Sequence, residues 1–161
     1  MAHLMRIGNA IKQSGFTYMG VLMVVVISGI AMAGAGLIWH QQAQRVKEQE
    51  LLFVGDAIRQ AIRSYYQNTP SGLKEYPPTL EALLLDKRFP NIKRHLRQLY
   101  SDPLTTDTDW GLIEQQDRII GVYSLSKQKP LKQKEFPTKY ESFRDAKSYQ
   151  QWQFVYVPGQ D

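Results

Sequence analysis

The sequence predicts an α+β fold: a long N-terminal helix, membrane-spanning in its first half and amphipathic in its second, packed on a small antiparallel sheet of about three strands. Three observations predict it. Residues 16–39 are 24 consecutive positions without a charge. Residues 40–67 hold no proline and one glycine, and their apolar side chains recur at three- and four-residue intervals. The C-terminal half carries short apolar or alternating runs separated by turn formers, the pattern of a small sheet.

The first 15 residues contain Arg6 and Lys12 and no acid. An uncharged helix of the length that follows reaches about 36 Å at roughly 1.5 Å per residue, more than a hydrocarbon core of about 30 Å. A cleaved secretory signal has an apolar stretch of only about 7–15 residues followed by small residues. Here the small-residue cluster 31–36 lies inside the run, so the segment is expected to be retained. The positive-inside tendency then leaves the leader in the cytoplasm and sends 40–161 to the periplasmic face. Within the run, Gly20, Gly29, Ala31, Ala33, Gly34 and Gly36 supply small residues, several of them one turn apart, which let helix backbones approach closely.

Beyond the run the helix is expected to continue to Gln67. Val46, Val54, Ala57, Ile58, Ala61, Ile62 and Tyr65 mark one face for a globular head, with Arg45, Lys47, Glu48, Arg59 and Arg63 between them. Gly55 marks a local bend. Residues 68–78 are dense in turn formers and end the helix. Thr79 is then expected to cap a short helix reaching about Leu85, with Glu81 in its first turn. A further helix is expected over 91–99.

Residues 110–113 and 118–126 read as two strands of a hairpin turning through 114–117. A short helix is expected near 140–149, and 152–157 alternates as a last strand.

Composition narrows the chemistry. There is no cysteine, so neither a disulfide nor a thiolate site is available. The chain has 20 Lys and Arg against 15 Asp and Glu, a net charge of +5; without Arg6 and Lys12 the balance is 18 against 15, or +3. That is too mild to argue for nucleic acid by itself. Lys87, Arg88, Lys93, Arg94 and Arg97 form a basic stretch and a candidate contact surface, read either as a solvated face or as a grip on phosphate. His95 lies among them with no nucleophile near it in sequence. No glycine-rich phosphate loop occurs, so any energy for assembly comes from another protein. No catalytic residue, cofactor or metal is expected.

Lys12-Gln13-Ser14-Gly15-Phe16-Thr17, a basic leader ending in glycine and followed by Phe-Thr and an apolar helix, resembles the prepilin signature of type IV pilins and type II secretion pseudopilins. The resemblance implies cleavage between Gly15 and Phe16 by prepilin peptidase and methylation of the new N-terminus. It also implies a pilin-like fold and use of the apolar helix as a filament core. Residues 76–83, and Asp102-Pro103 followed by Trp110 and the hairpin, are similar to the major pseudopilin of type II secretion. That protein holds calcium in a loop where this chain has Lys127, Lys129, Lys132 and Lys134, and cations needing several oxygen ligands are repelled there. Asp102, Asp107 and Asp109 read as solvated loop residues.

The fifth residue after the cut is Gly20, where major subunits carry glutamate, which implies a minor or atypical subunit at a filament tip or in an initiating complex. The implied organisation is a leader 1–15, a membrane and filament-core helix 16–39, and a periplasmic head 40–161 that includes the helix extension 40–67. Its implied partners are other pilin or pseudopilin subunits, prepilin peptidase, the inner-membrane assembly platform and the membrane itself. Nucleic acid is not expected. The alternatives are a minor pilin with a DNA-binding or adhesive role, and an uncleaved signal-anchored periplasmic domain.

Overall fold

The computed structural model describes residues 16–70 and 72–159; the side chains of 16–17, 31, 33–38 and 40 lie outside the described residues. The elements are α1 (Phe16–Gln67), α2 (Glu81–Leu84), β1 (Gly111–Gln115), β2 (Arg118–Tyr123) and β3 (Gln153–Val155), with 3₁₀ segments at Thr138–Phe143 and Tyr149–Gln151. The chain divides into two compact units, Met1–Gln41 and Gln42–Asp161.

In the first unit, α1 exposes Tyr18, Met19, the run from Val21 to Ile27, Ile30, Met32 and Trp39. Among the described residues no helix is long and apolar enough to cross a membrane. The expected fold class is corrected on this point: α1 is a long helix, but over its described residues it does not provide the long apolar stretch expected of its first half.

The second unit is built on the rest of α1. Leu51, Val54, Ile58, Ala61, Ile62 and Tyr65 are buried at spacings that keep them on one helical face. They meet an aromatic cluster from the far end of the chain: Phe143 stacks on Trp152 at 5.4 Å between ring centres, and Phe154 meets Phe143 edge-on at 5.2 Å. Two expectations about α1 are corrected here. Val46 is 54 % exposed and turned away from the core, because it lies off the face defined by Leu51 and Ile58. Gly55 serves close approach rather than a bend, since a Cβ there would run into the ring of Phe154.

The sheet is antiparallel in the order β1-β2-β3. Gly111 pairs with Tyr123 and Gln115 with Arg118, and the register shifts between Ile113 and Glu114, leaving Ile120 as the extra residue. The hairpin turns through Gln116 and Asp117, both at positive φ (53° and 56°), which gives the primed turn that suits the twist of two strands. Gly121 pairs with Val155 and Tyr123 with Gln153. The expected strands 118–126 and 152–157 are therefore shorter than read.

Between α1 and β1 the chain is largely irregular. α2 covers one turn, its N-cap is Leu80 without a side-chain bond, and Thr79 does not cap it. The expected helix over 91–99 is absent: Lys93 pairs with Asp86 as an isolated bridge, and His95 and Leu96 N–H both donate to Leu83 O (2.8 and 3.0 Å). The 140–149 helix is replaced by the two 3₁₀ segments, where buried Tyr140, Phe143 and Tyr149 anchor the backbone individually.

Candidate functional site

Three sets of residues stand out in the second unit: an outward seam on α1, a carboxylate tether for the lysine-rich loop, and a polar joint at the end of α1.

The seam is made by Ala43, Val46, Glu50, Phe53 and Ala57, spaced alternately by three and four residues, with the charged Glu50 at its middle; Ala57, expected on the core face, is half-buried and lies at the edge of the seam. Val46 and Phe53 are 54 % and 68 % exposed, while Leu51, Val54 and Ile58 on the inner face are buried. Apart from Glu50 the stripe is apolar, and its spacing is that of a helix-packing seam. The core-facing residues bury the inner side, and the stripe faces outward. Beside it, a groove of about 550 Å³ is walled by Leu52, Phe53, Ala57, Pro137 and Tyr140.

The tether is Glu48, 4 % exposed. Its Oε1 accepts from Leu131 N–H (2.6 Å), Lys132 N–H (3.2 Å) and Tyr149 OH (2.8 Å). Gln44 Nε2 donates to Lys129 O (3.2 Å) and to the Tyr149 hydroxyl (3.0 Å). Burial, together with the Glu48 carboxylate, holds the Tyr149 phenol in its protonated form by pushing its pKa up. The tether fixes the backbone of the loop while Lys127, Lys129 and Lys134 stay exposed. Lower on the same helix, Asp56 accepts from Lys139 Nζ (2.7 Å), Gln60 Nε2 (2.7 Å) and Tyr140 OH. Burial raises its pKa, but these donors outweigh it and leave the carboxyl below its usual range.

The joint gathers Asp86, Arg88, His95, Ser64 and Thr69. Asp86 accepts from Arg88 Nε and Nη2 (2.9 and 2.7 Å) and from His95 Nε2 (3.2 Å), and both the Asp86 and His95 side chains are fully buried. Burial pushes the Asp86 carboxyl up, and the Arg88 and His95 donors overcome it, leaving a pKa of about 2. Burial lowers the pKa of His95 against the pull of Asp86, which favours the neutral ring. Its Nε2 carries the proton given to Asp86, and Nδ1 accepts from the Ser64 hydroxyl at 2.8 Å. Arg88 also donates to Tyr65 O and Thr69 Oγ1 (both 3.0 Å) and lies over the Tyr65 ring at 3.5 Å. A cation on a terminal carbonyl of α1 complements the helix dipole.

Hydroxyl, imidazole and carboxylate in this order activate serine nucleophiles elsewhere. Here the carboxylate is already paired with a guanidinium. Ser64 also sits within a helix whose N–H groups are taken by its own carbonyls, so no backbone pair stands ready for an oxyanion. The trio therefore acts as a joint between α1 and 86–95.

The expected basic surface is divided by the same joint. Arg88 is turned inward, and Lys93 Nζ donates to Asn68 Oδ1 (2.8 Å). Lys87, Arg94 and Arg97 remain exposed. Of the processing residues, Gly15 lies outside the described residues, and Phe16 is the first residue of α1 with its side chain outside them. A Cβ at Gly20 or Gly29 would meet nothing within 4 Å. The side chains at Ala31 and Ala33, and the surroundings of Gly34 and Gly36, lie outside the described residues. Among the described residues no group of three or more His, Cys, Asp or Glu side chains could hold a metal. Asp102 is fully buried rather than solvated, accepting from Leu104 N–H (2.9 Å) and Ser124 OH (2.6 Å).

Sequence reasoning missed Ser64, Asp86, Gln44 and Phe53. Only Phe53 carried a signal, as the one large aromatic side chain on the charged side of α1. No family model, curated protein or solved structure matches this chain.

Proposed function

We propose that this chain is a pseudopilin or minor pilin-like subunit, processed by prepilin peptidase and assembled through α1 into a filament that serves protein secretion or pilus biogenesis. The observation that carries the reading is the outward seam of α1, with Val46 and Phe53 exposed on the side opposite a fully formed core. An apolar helical face of this kind is stabilised by a second helix, and further copies of the same chain supply one. The exposed apolar side chains from Tyr18 to Trp39 have the same need. The leader and the Gly15–Phe16 junction supply the processing step, and the head, 40–161, works on the periplasmic side of the inner membrane.

In this reading the subunit is moved by an assembly platform and is not itself a catalyst. Phe53→Asp in the full chain tests it: the variant should reach the level of wild type in the cell, yet fail to co-sediment with filaments. Wild-type co-sedimentation of Phe53→Asp, or the absence of filaments containing the unaltered chain, would overturn the reading.

A further inference from the structure

Glu81, Asp109 and Glu114 line a groove of about 520 Å³ beside β1 together with the apolar side chains of Leu99, Trp110 and Leu112. Leu112 is 42 % exposed, and none of the three acids has an ion-pair partner among the described residues. The groove thus combines apolar side chains with three carboxylates. A partner that fits it carries positive charge on both sides of a single apolar anchor.

This chain has such a segment. In 127–134 the lysines Lys127, Lys129, Lys132 and Lys134 flank Leu131, which is 39 % exposed. None of these lysines has a carboxylate partner among the described residues. Glu48 and Gln44 hold the backbone of the segment at 129, 131 and 132, so little ordering is left to be done on binding.

We propose that the lysine-rich loop of one copy seats in the acidic groove of the next, with Leu131 against Leu112 and Trp110 and the lysines on Glu81, Asp109 and Glu114. Loop and groove are different surfaces of one chain, so the contact is head-to-tail and leaves a free groove and a free loop on every pair. It rests on the filament reading and names the contact between neighbouring globular domains within it. Opposite charges at such a contact set which partner is accepted and in what register, and like charges reject it.

The absence of cysteine makes disulfide trapping clean. Two differently tagged full-length copies, one Leu112→Cys and one Leu131→Cys, are expressed together in the native host and oxidised with copper phenanthroline. The expected result is a disulfide joining the two tags, and a ladder of multimers when one chain carries both substitutions. Glu81→Lys with Glu114→Lys in the groove copy should reduce trapping about tenfold, the effect of roughly one unit of log affinity. Lys129→Glu with Lys134→Glu in the other copy should restore it, which a misfolded groove would not allow. No mixed disulfide while the unaltered chain still co-sediments with filaments would overturn this contact and leave the filament reading standing. No mixed disulfide and no filaments containing the unaltered chain would remove the filament reading and the contact with it. A Leu112→Cys chain trapped on a different protein, or no restoration by the reversed charges, would also overturn the proposal.

Discussion

Asp86 and His95 make the joint at the end of α1 sensitive to pH, and the sign follows from their shifts. His95 has a lower pKa folded than unfolded, so as pH falls below about 6.5 the unfolded chain takes up the proton first and stability declines. Asp86 is depressed to about 2, so its contribution is complete above about pH 4–5 and is lost as pH falls toward 2. With its side chain fully buried, that contribution is on the order of 2 kcal/mol. Urea unfolding of the head within the intact chain should show a two-step loss, and His95→Gln should remove the upper step while leaving the lower one. Glu48 gives a second expectation at this scale. Glu48→Ala leaves two N–H groups and the Tyr149 hydroxyl without their acceptor and should cost about 3 kcal/mol or more. Hydrogen exchange at Leu131 and Lys132 should accelerate in the same variant. Neither Asp86 nor Glu48 was readable as a partner in sequence, because Asp86 meets Ser64 through His95, and Glu48 meets Leu131, from distant parts of the chain.

Elements set by periodicity were legible, and those set by individual long-range contacts were not. The helical extension to Gln67 follows from residues without proline and an apolar face, and β1 and β2 follow from two runs separated by a turn. The stretch 91–99 reads as a helix in sequence, but Asp86 bonded to His95 and Lys93, and Leu83 O bonded to two successive N–H groups, pull it into an irregular path. The inner and outer faces of α1 could not be assigned reliably while Leu51 was outside the expected face and Val46 was within it. Gly55 depends on β3: its lost Cβ makes room for Phe154, which is fully buried and cannot swing aside. Gly55→Ala should therefore lower stability by about 1–3 kcal/mol despite raising helix propensity, a result that thermal unfolding would read directly. A stabilised variant would mean that Phe154 does not press on α1.

At the scale of the whole molecule, the second unit forms a core of its own and exposes Val46 and Phe53, and in the first unit Tyr18, Met19, the run from Val21 to Ile27, Ile30, Met32 and Trp39 are exposed. Such surface is costly in water and is expected to be covered by other subunits. Because Phe53 is 68 % exposed, Phe53→Asp should change the stability of the head by no more than about 0.5 kcal/mol while abolishing assembly, which separates folding from function. In the sequence the function was legible only in the short segment 12–17 and the apolar run, because the outward seam of α1 at Val46 and Phe53 shows itself only once the buried face is known. The measurement that bears most directly on the account is the N-terminal mass of the chain isolated from its native host, with and without prepilin peptidase. The account requires a start at methylated Phe16 that is lost when the peptidase is removed. An intact leader ending in Gly15 in both strains would contradict it.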